Sequence, residues 1–131
     1  MRTRFIAPLG ACILALATVQ ASAQPYYHHH HGFEGRWTTS EGNMVVHQDE
    51  GHLSGHYDKR GGRVDGHVDY GHAEGVWSQD YADERCDTYR LGSRHWGRFE
   101  WRLTDDGQHF EGSWSYCDGP MNHSWTGDRA Y

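Results

Sequence analysis

Beyond residue 23 the chain has no apolar run that could cross a membrane as a helix, which takes about 20 such residues. Helical periodicity is missing as well: apolar residues do not recur at intervals of three and four. So are the short catalytic signatures. There is no G-x-S-x-G elbow, no H-E-x-x-H, no phosphate-binding loop and no C-x-x-C. Positive charge is in short supply, with 12 Lys and Arg against 18 Asp and Glu. Removing residues 1–23, which carry Arg2 and Arg4, leaves ten basic against 18 acidic side chains, a net charge of −8 with histidine neutral. Such a domain repels phosphate backbones, so nucleic acid is not an expected partner. The acids fall at outward strand positions or in loops, as at Asp49, Glu50, Asp83, Glu84 and Asp87. No pair of them is marked as a cleft acid and base, and the reading is non-enzymatic.

Cysteine is scarce too, with three in all. Cys12 falls in the N-terminal segment, whose parts read as a secretory signal. Arg2 and Arg4 open it, residues 5–19 are apolar, and Ala21-Ser22-Ala23 offers a cleavage site. Export to the periplasm or medium is therefore expected, with residues 1–23 removed. Leu9-Gly10-Ala11-Cys12 gives a competing reading, a lipobox with Cys12 as lipid anchor. Against it, the apolar run continues well past Cys12. In an oxidising compartment the remaining pair, Cys86 and Cys117, is expected to form a disulfide.

What is present is a recurring unit, apolar-x-Gly-x-apolar. It appears as Phe33-Glu34-Gly35-Arg36-Trp37, Leu53-Ser54-Gly55-His56-Tyr57, Val64-Asp65-Gly66-His67-Val68, Ala73-Glu74-Gly75-Val76-Trp77 and Phe110-Glu111-Gly112-Ser113-Trp114. Positions i, i+2 and i+4 of a strand share a face, so each unit buries apolar, Gly, apolar. The inward glycine lets a strand bend and leaves room for a ring from across the core. Turn signals such as Tyr70-Gly71 and Asp105-Asp106-Gly107 separate the units. Eight strands follow: 33–39, 43–48, 52–58, 63–69, 72–79, 95–104, 108–116 and 123–128. They make an all-β, antiparallel up-and-down meander, closed or nearly closed into a small barrel spanning 33–131. Trp37, Tyr57, Trp77, Phe99, Trp101, Phe110, Trp114 and Trp125 form the expected inward set.

Histidine is abundant, at 12 residues. Residues 24–32 read as a flexible arm carrying His28, His29, His30 and His31, a tract able to bind Zn²⁺, Cu²⁺ or Ni²⁺ without a fold. On the outer face, hairpin register can be set by pairing Val46 with Leu53, Leu53 with Val68, and Val68 with Ala73. That register aligns His47, His52, Asp69 and His72 in one row, His56 with Asp65, and His67 with Glu74. Adjacent imidazoles in such a row could share a metal ion. The plain alternatives are a solvated outer face, or one stiffened at low pH by His⁺–carboxylate pairs.

The run Gly35-Arg36-Trp37-Thr38-Thr39-Ser40-Glu41-Gly42-Asn43-Met44, followed by Leu53-Ser54-Gly55-His56-Tyr57, resembles the opening of avidin-like barrels. That resemblance implies ligand contacts at Ser40, Asn43 and Tyr57. The turn here is shorter, and no W-x-G-Q strand follows. The stretch 33–131 is also similar to a type of exported bacterial β-meander domain with G-x-W, G-x-Y and D-G-x-x-F-x-G-x-W motifs, the last at 106–114. This second likeness implies the fold and no activity. Three functions stay open: a metal-binding protein; a calycin-like binder of a small apolar or aromatic ligand, held by rings such as Tyr57, Trp77 and Trp114; and a structural or interaction module of the cell envelope.

Overall fold

The structure, a computed structural model, describes residues 32–131 together with Phe5, Gly10, Ile13, Ala15 and 17–22. Cys12 and His28, His29, His30 and His31 lie outside the described residues. Eight strands follow in order: β1 (Gly35–Thr39), β2 (Gly42–Asp49), β3 (His52–Tyr57), β4 (Gly62–Asp69), β5 (His72–Gln79), β6 (His95–Leu103), β7 (His109–Trp114) and β8 (His123–Arg129). Each pairs antiparallel with the next, and β8 returns to β1 through Trp37↔Arg129 and Thr39↔Gly127. The result is the closed up-and-down barrel expected from the alternation, with no free sheet edge. Tyr70 and Gly71 both take positive φ, 45° and 75°, the twist that a two-residue hairpin between β4 and β5 requires.

Two hairpins settle two residues away from the expected register. Leu53 lies opposite Gly66, where Val68 was expected, and Val46 lies opposite Gly55, where Leu53 was expected. The observed register sets Tyr57 against Gly62, and the phenol ring occupies the space that a Cβ at Gly62 would take. The same pairing recurs around the barrel. Trp77 faces Gly97, Phe99 faces Gly75, Trp101 and Trp125 both face Gly112, and Phe110 faces Gly127.

All eight expected rings point inward, and all but the half-buried Trp114 are buried. Trp101 is sandwiched between Phe99 and Phe110, with centroids 4.3 and 4.8 Å away, and Trp125 meets it edge-on at 5.0 Å. Such pairs add about 0.5–1.5 kcal/mol each beyond the area they bury. Phe33 is not part of β1 as expected. Gly35, at φ 123°, turns the chain so that Phe33 enters the barrel end, where its carbonyl accepts from Trp37 Nε1 at 2.8 Å. Arg129 seals the same end. Its guanidinium lies 4.3 Å from the Trp37 ring and donates to the carbonyls of Gly32, Glu34 and Gly107.

Trp96 lies on the outward phase of β6, yet it is buried. The long connection 80–94 covers it. Trp96 Nε1 donates to Thr88 O at 2.8 Å, and the Arg90 guanidinium sits 4.8 Å from the ring. The Cys86–Cys117 disulfide ties this connection to the segment after β7, across 31 residues of sequence.

Two stability measurements follow. Gly97→Ala drives a methyl into Ser115 O and the Trp77 indole, and urea denaturation is expected to show a loss of about 2–3 kcal/mol. Replacing Cys86 and Cys117 together by Ala is expected to cost about 3–4 kcal/mol by the loop it frees. An unchanged urea midpoint in that double variant would show that the connection holds its place without the bond.

Candidate functional site

The outer face and the open end of the barrel carry the candidate groups. On the outer face the two-residue shift rearranges the histidines. His47 lies opposite Ser54 rather than His52, and its Nδ1 sits 3.5 Å from Glu34. His52 lies opposite Asp49 and His67 rather than Asp69, and its Nε2 is 3.1 Å from Asp65. His56 faces Arg63 rather than Asp65. The pairs that cross β4 and β5, Asp69↔His72 and His67↔Glu74, stand as expected. His72 Nε2, however, reaches Glu100 at 3.0 Å. The row His47, His52, Asp69, His72 is therefore not brought together. A slip of two leaves every side chain on its own face, so the inward pattern could not reveal it. Among the described residues, no group of three or more His, Cys, Asp or Glu side chains could hold one metal ion.

One barrel end is plugged by Phe33 and Arg129; the other is a mouth. Four connections frame it: the β1–β2 turn, residues 58–61, residues 80–94 and residues 115–122. Tyr57, Trp77, Gln79, Trp114, Tyr116 and Trp125 line it, with Glu41, Lys59 and Arg60 at the rim. Trp77, Trp114 and Tyr116 meet at near-right angles. Their centroids are 5.5, 5.9 and 4.9 Å apart, at interplanar angles of 87°, 72° and 83°. Trp77 Nε1 donates to Ser115 O at 3.0 Å, which fixes that ring. His123 stacks on Trp114 at 4.1 Å. At the floor, Trp125 is buried and its Nε1 has no hydrogen-bond partner.

Polar groups interrupt this aromatic lining. Gln79 Nε2 donates to Tyr57 Oη at 2.9 Å. Burial pushes the Tyr57 phenol well above its ordinary pKa, outweighing that hydrogen bond, so it stays neutral. The Glu41 carboxylate receives Lys59 Nζ at 2.8 Å, and its side chain is only 14% exposed. The space left among these groups is about 20 Å³, room for one water. Below the mouth the rings fill the interior.

Tyr57, Trp77 and Trp114 thus share the mouth. Ser40 does not line it; its hydroxyl accepts from Thr126 N at 3.1 Å and its N–H donates to Thr126 O, tying the β1–β2 turn to β8. Asn43 is exposed on the outside of β2, in an open depression of about 460 Å³ bordered by Arg36, Val45, His56 and Tyr131. Sequence reasoning missed Glu41, Lys59, Gln79 and Tyr116. Gln79 was readable, because it continues the inward phase of Ala73, Gly75 and Trp77. Glu41 and Lys59 sit in a turn and a connection, where alternation says nothing. No family model, no curated protein and no solved structure matches the chain.

The neutral Tyr57 gives a pH prediction. A phenol with a raised folded pKa keeps its proton where the unfolded chain has lost it. Its contribution is therefore full below the ordinary phenol value of 10.0 and declines as pH rises above that. Stability is expected to fall with pH from about 10 upward, and to fall less steeply in Tyr57→Phe. Equal slopes in denaturation series at pH 9–11 would refute this.

Proposed function

We propose that this protein is an exported, non-enzymatic binding module that takes a small organic ligand at the barrel mouth. The observation that carries the reading is that the half-buried rings Trp114 and Tyr116 and the Glu41 carboxylate line one depression over an interior already filled. Binding sites are concave, mostly apolar and equipped with a few placed polar groups. Here Trp114 and Tyr116 offer half-buried ring area, while Glu41 and the Tyr57–Gln79 pair supply the polar contacts. The rings Tyr57, Trp77 and Trp114 play the part that a calycin-like binder would give them. The ligand enters the mouth only, since the core leaves no deeper space. Catalysis is not invoked: the Tyr57 phenol stays protonated, Glu41 is already paired with Lys59, and among the described residues no nucleophile is coupled to a base. The Cys86–Cys117 disulfide fits an oxidising compartment, and among the described residues no helix is long and apolar enough to cross a membrane.

A second reading keeps the metal. Its support is the direct opposition of His52 and His67, with Asp65 3.1 Å from His52, together with the tract 28–31. Calorimetric titration with Zn²⁺, Cu²⁺ and Ni²⁺ separates the two readings. Micromolar heat lost in a His52→Ala/His67→Ala variant, or on deletion of residues 24–32, would favour metal.

The mouth reading predicts that small cyclic and alkylated organic compounds change tryptophan fluorescence on binding. Trp114→Ala should weaken that binding at least about tenfold, some 1.4 kcal/mol, with the fold retained by circular dichroism. Undiminished affinity in Trp114→Ala would remove the mouth as the site. A protein that answers neither titration would be a structural or interaction module of the envelope.

A further inference from the structure

If the mouth is the binding site, its rim also states the charge of what binds. Among the described residues Glu41 is the least exposed acid of any ion pair, at 14%, and a carboxylate partly withdrawn from water is favoured by a cation beside it. That cation is Lys59, whose side chain is 45% exposed and extends from the connection between β3 and β4. The two partners are therefore unequal. The lysine stem can carry its head into solvent, provided that a second cation takes its place on Glu41.

The walls beside Glu41 favour the same sign. Ring faces carry negative quadrupole charge and attract a cation within about 6 Å of the centroid. Trp77, Trp114 and Tyr116 pack edge to face on one another and Trp77 is buried, so the half-buried Trp114 and Tyr116 present the ring surface on which the methyl groups of an alkylated ammonium can rest while its charge meets the carboxylate. The remaining charges agree. Asp83 and Glu84 act on Tyr116 from residues 80–94, and Lys59 and Arg60 oppose them. Arg60 is otherwise engaged, 3.4 Å from Asp83 and 4.8 Å from the Tyr81 ring. With Lys59 swung away, Glu41, Asp83 and Glu84 outnumber Arg60. Room also requires that movement, because about 20 Å³ remains while Lys59 is seated.

We infer that the mouth takes an organic ammonium, its charged head replacing the Lys59 ammonium on Glu41 and its alkyl groups packing against Trp114 and Tyr116. Lys59 is then an internal competitor. The fraction of molecules with Lys59 displaced sets the apparent affinity for any ligand cation.

The test uses choline and its neutral isostere 3,3-dimethylbutan-1-ol, titrated into the disulfide-intact protein by calorimetry and tryptophan fluorescence. Choline should bind, and the isostere should bind at least about tenfold more weakly. Lys59→Ala should tighten choline on the order of tenfold by removing the competitor. Glu41→Gln should abolish the preference for choline while leaving isostere binding and the thermal midpoint near their original values. An isostere that matches choline overturns the inference. So does a Lys59→Ala variant that binds choline no better than the parent. In either case binding that still depends on Trp114 keeps the mouth as the site. If neither probe binds the parent or Lys59→Ala, the ammonium assignment falls, and the wider compound series then decides the mouth itself.

Discussion

Large rings inside this barrel stand opposite glycines, and the rest of the structure depends on that match. An eight-stranded barrel has an interior just wide enough to be filled by side chains. Here the filling is mostly tryptophan, phenylalanine and tyrosine, which fit only where the neighbouring strand offers no side chain of its own. Trp101 and Trp125 lie against the two sides of Gly112, and Trp77 lies against Gly97. A methyl at Gly112 would strike the Glu100 carbonyl and the Trp101 ring. The match does two jobs. It packs the core, and it chooses among registers that hydrophobic alternation leaves equal.

That second job explains what was legible in the sequence and what was not. Strand positions, inward rings and the Cys86–Cys117 pair follow from alternation, turn residues and cysteine count. Register does not, because a shift by two keeps Leu53 and Tyr57 facing inward whether Leu53 meets Val68 or Gly66. Only the ring-to-glycine fit separates the two, as the phenol of Tyr57 over Gly62 shows. Outer-face neighbours inherit the register, so His47 and His52 part while Asp69 and His72 stay together. Trp96 was illegible for another reason, because chain outside the sheet, residues 80–94, buries it. Phe33 was read as inward, but it reaches the core rings from outside β1, at the barrel end.

The histidines gain a plainer role from the same geometry. His47, His52, His72 and His109 each sit against a carboxylate, on Glu34, Asp65, Glu100 and Asp128 respectively. These contacts lie at or near the solvent, where an ion pair contributes about 0–1 kcal/mol. They add little to the stability of the fold. The stabilising burden rests on the rings and the disulfide.

A filled core also dictates how the mouth can work. With no cavity beneath it, a ligand gains contact only from groups at the rim, and something at the rim must move to admit it. The backbone there is poorly suited to move. Arg60 and Gly61 hold positive φ values of 54° and 67°, Arg60 O accepts from Asp80 N at 2.9 Å, and Arg63 grips Asp80 at 3.1 Å. Residues 80–94 are pinned by the disulfide and by Trp96. The group that the proposal asks to move is then a single long side chain, Lys59, projecting from a braced loop. Exchanging one cation for another on Glu41 disturbs less than lifting a connection, and it leaves Trp114 and Tyr116 in place. On the proposed reading, a barrel with a filled core binds at its mouth, with the admission step confined to the Lys59–Glu41 pair.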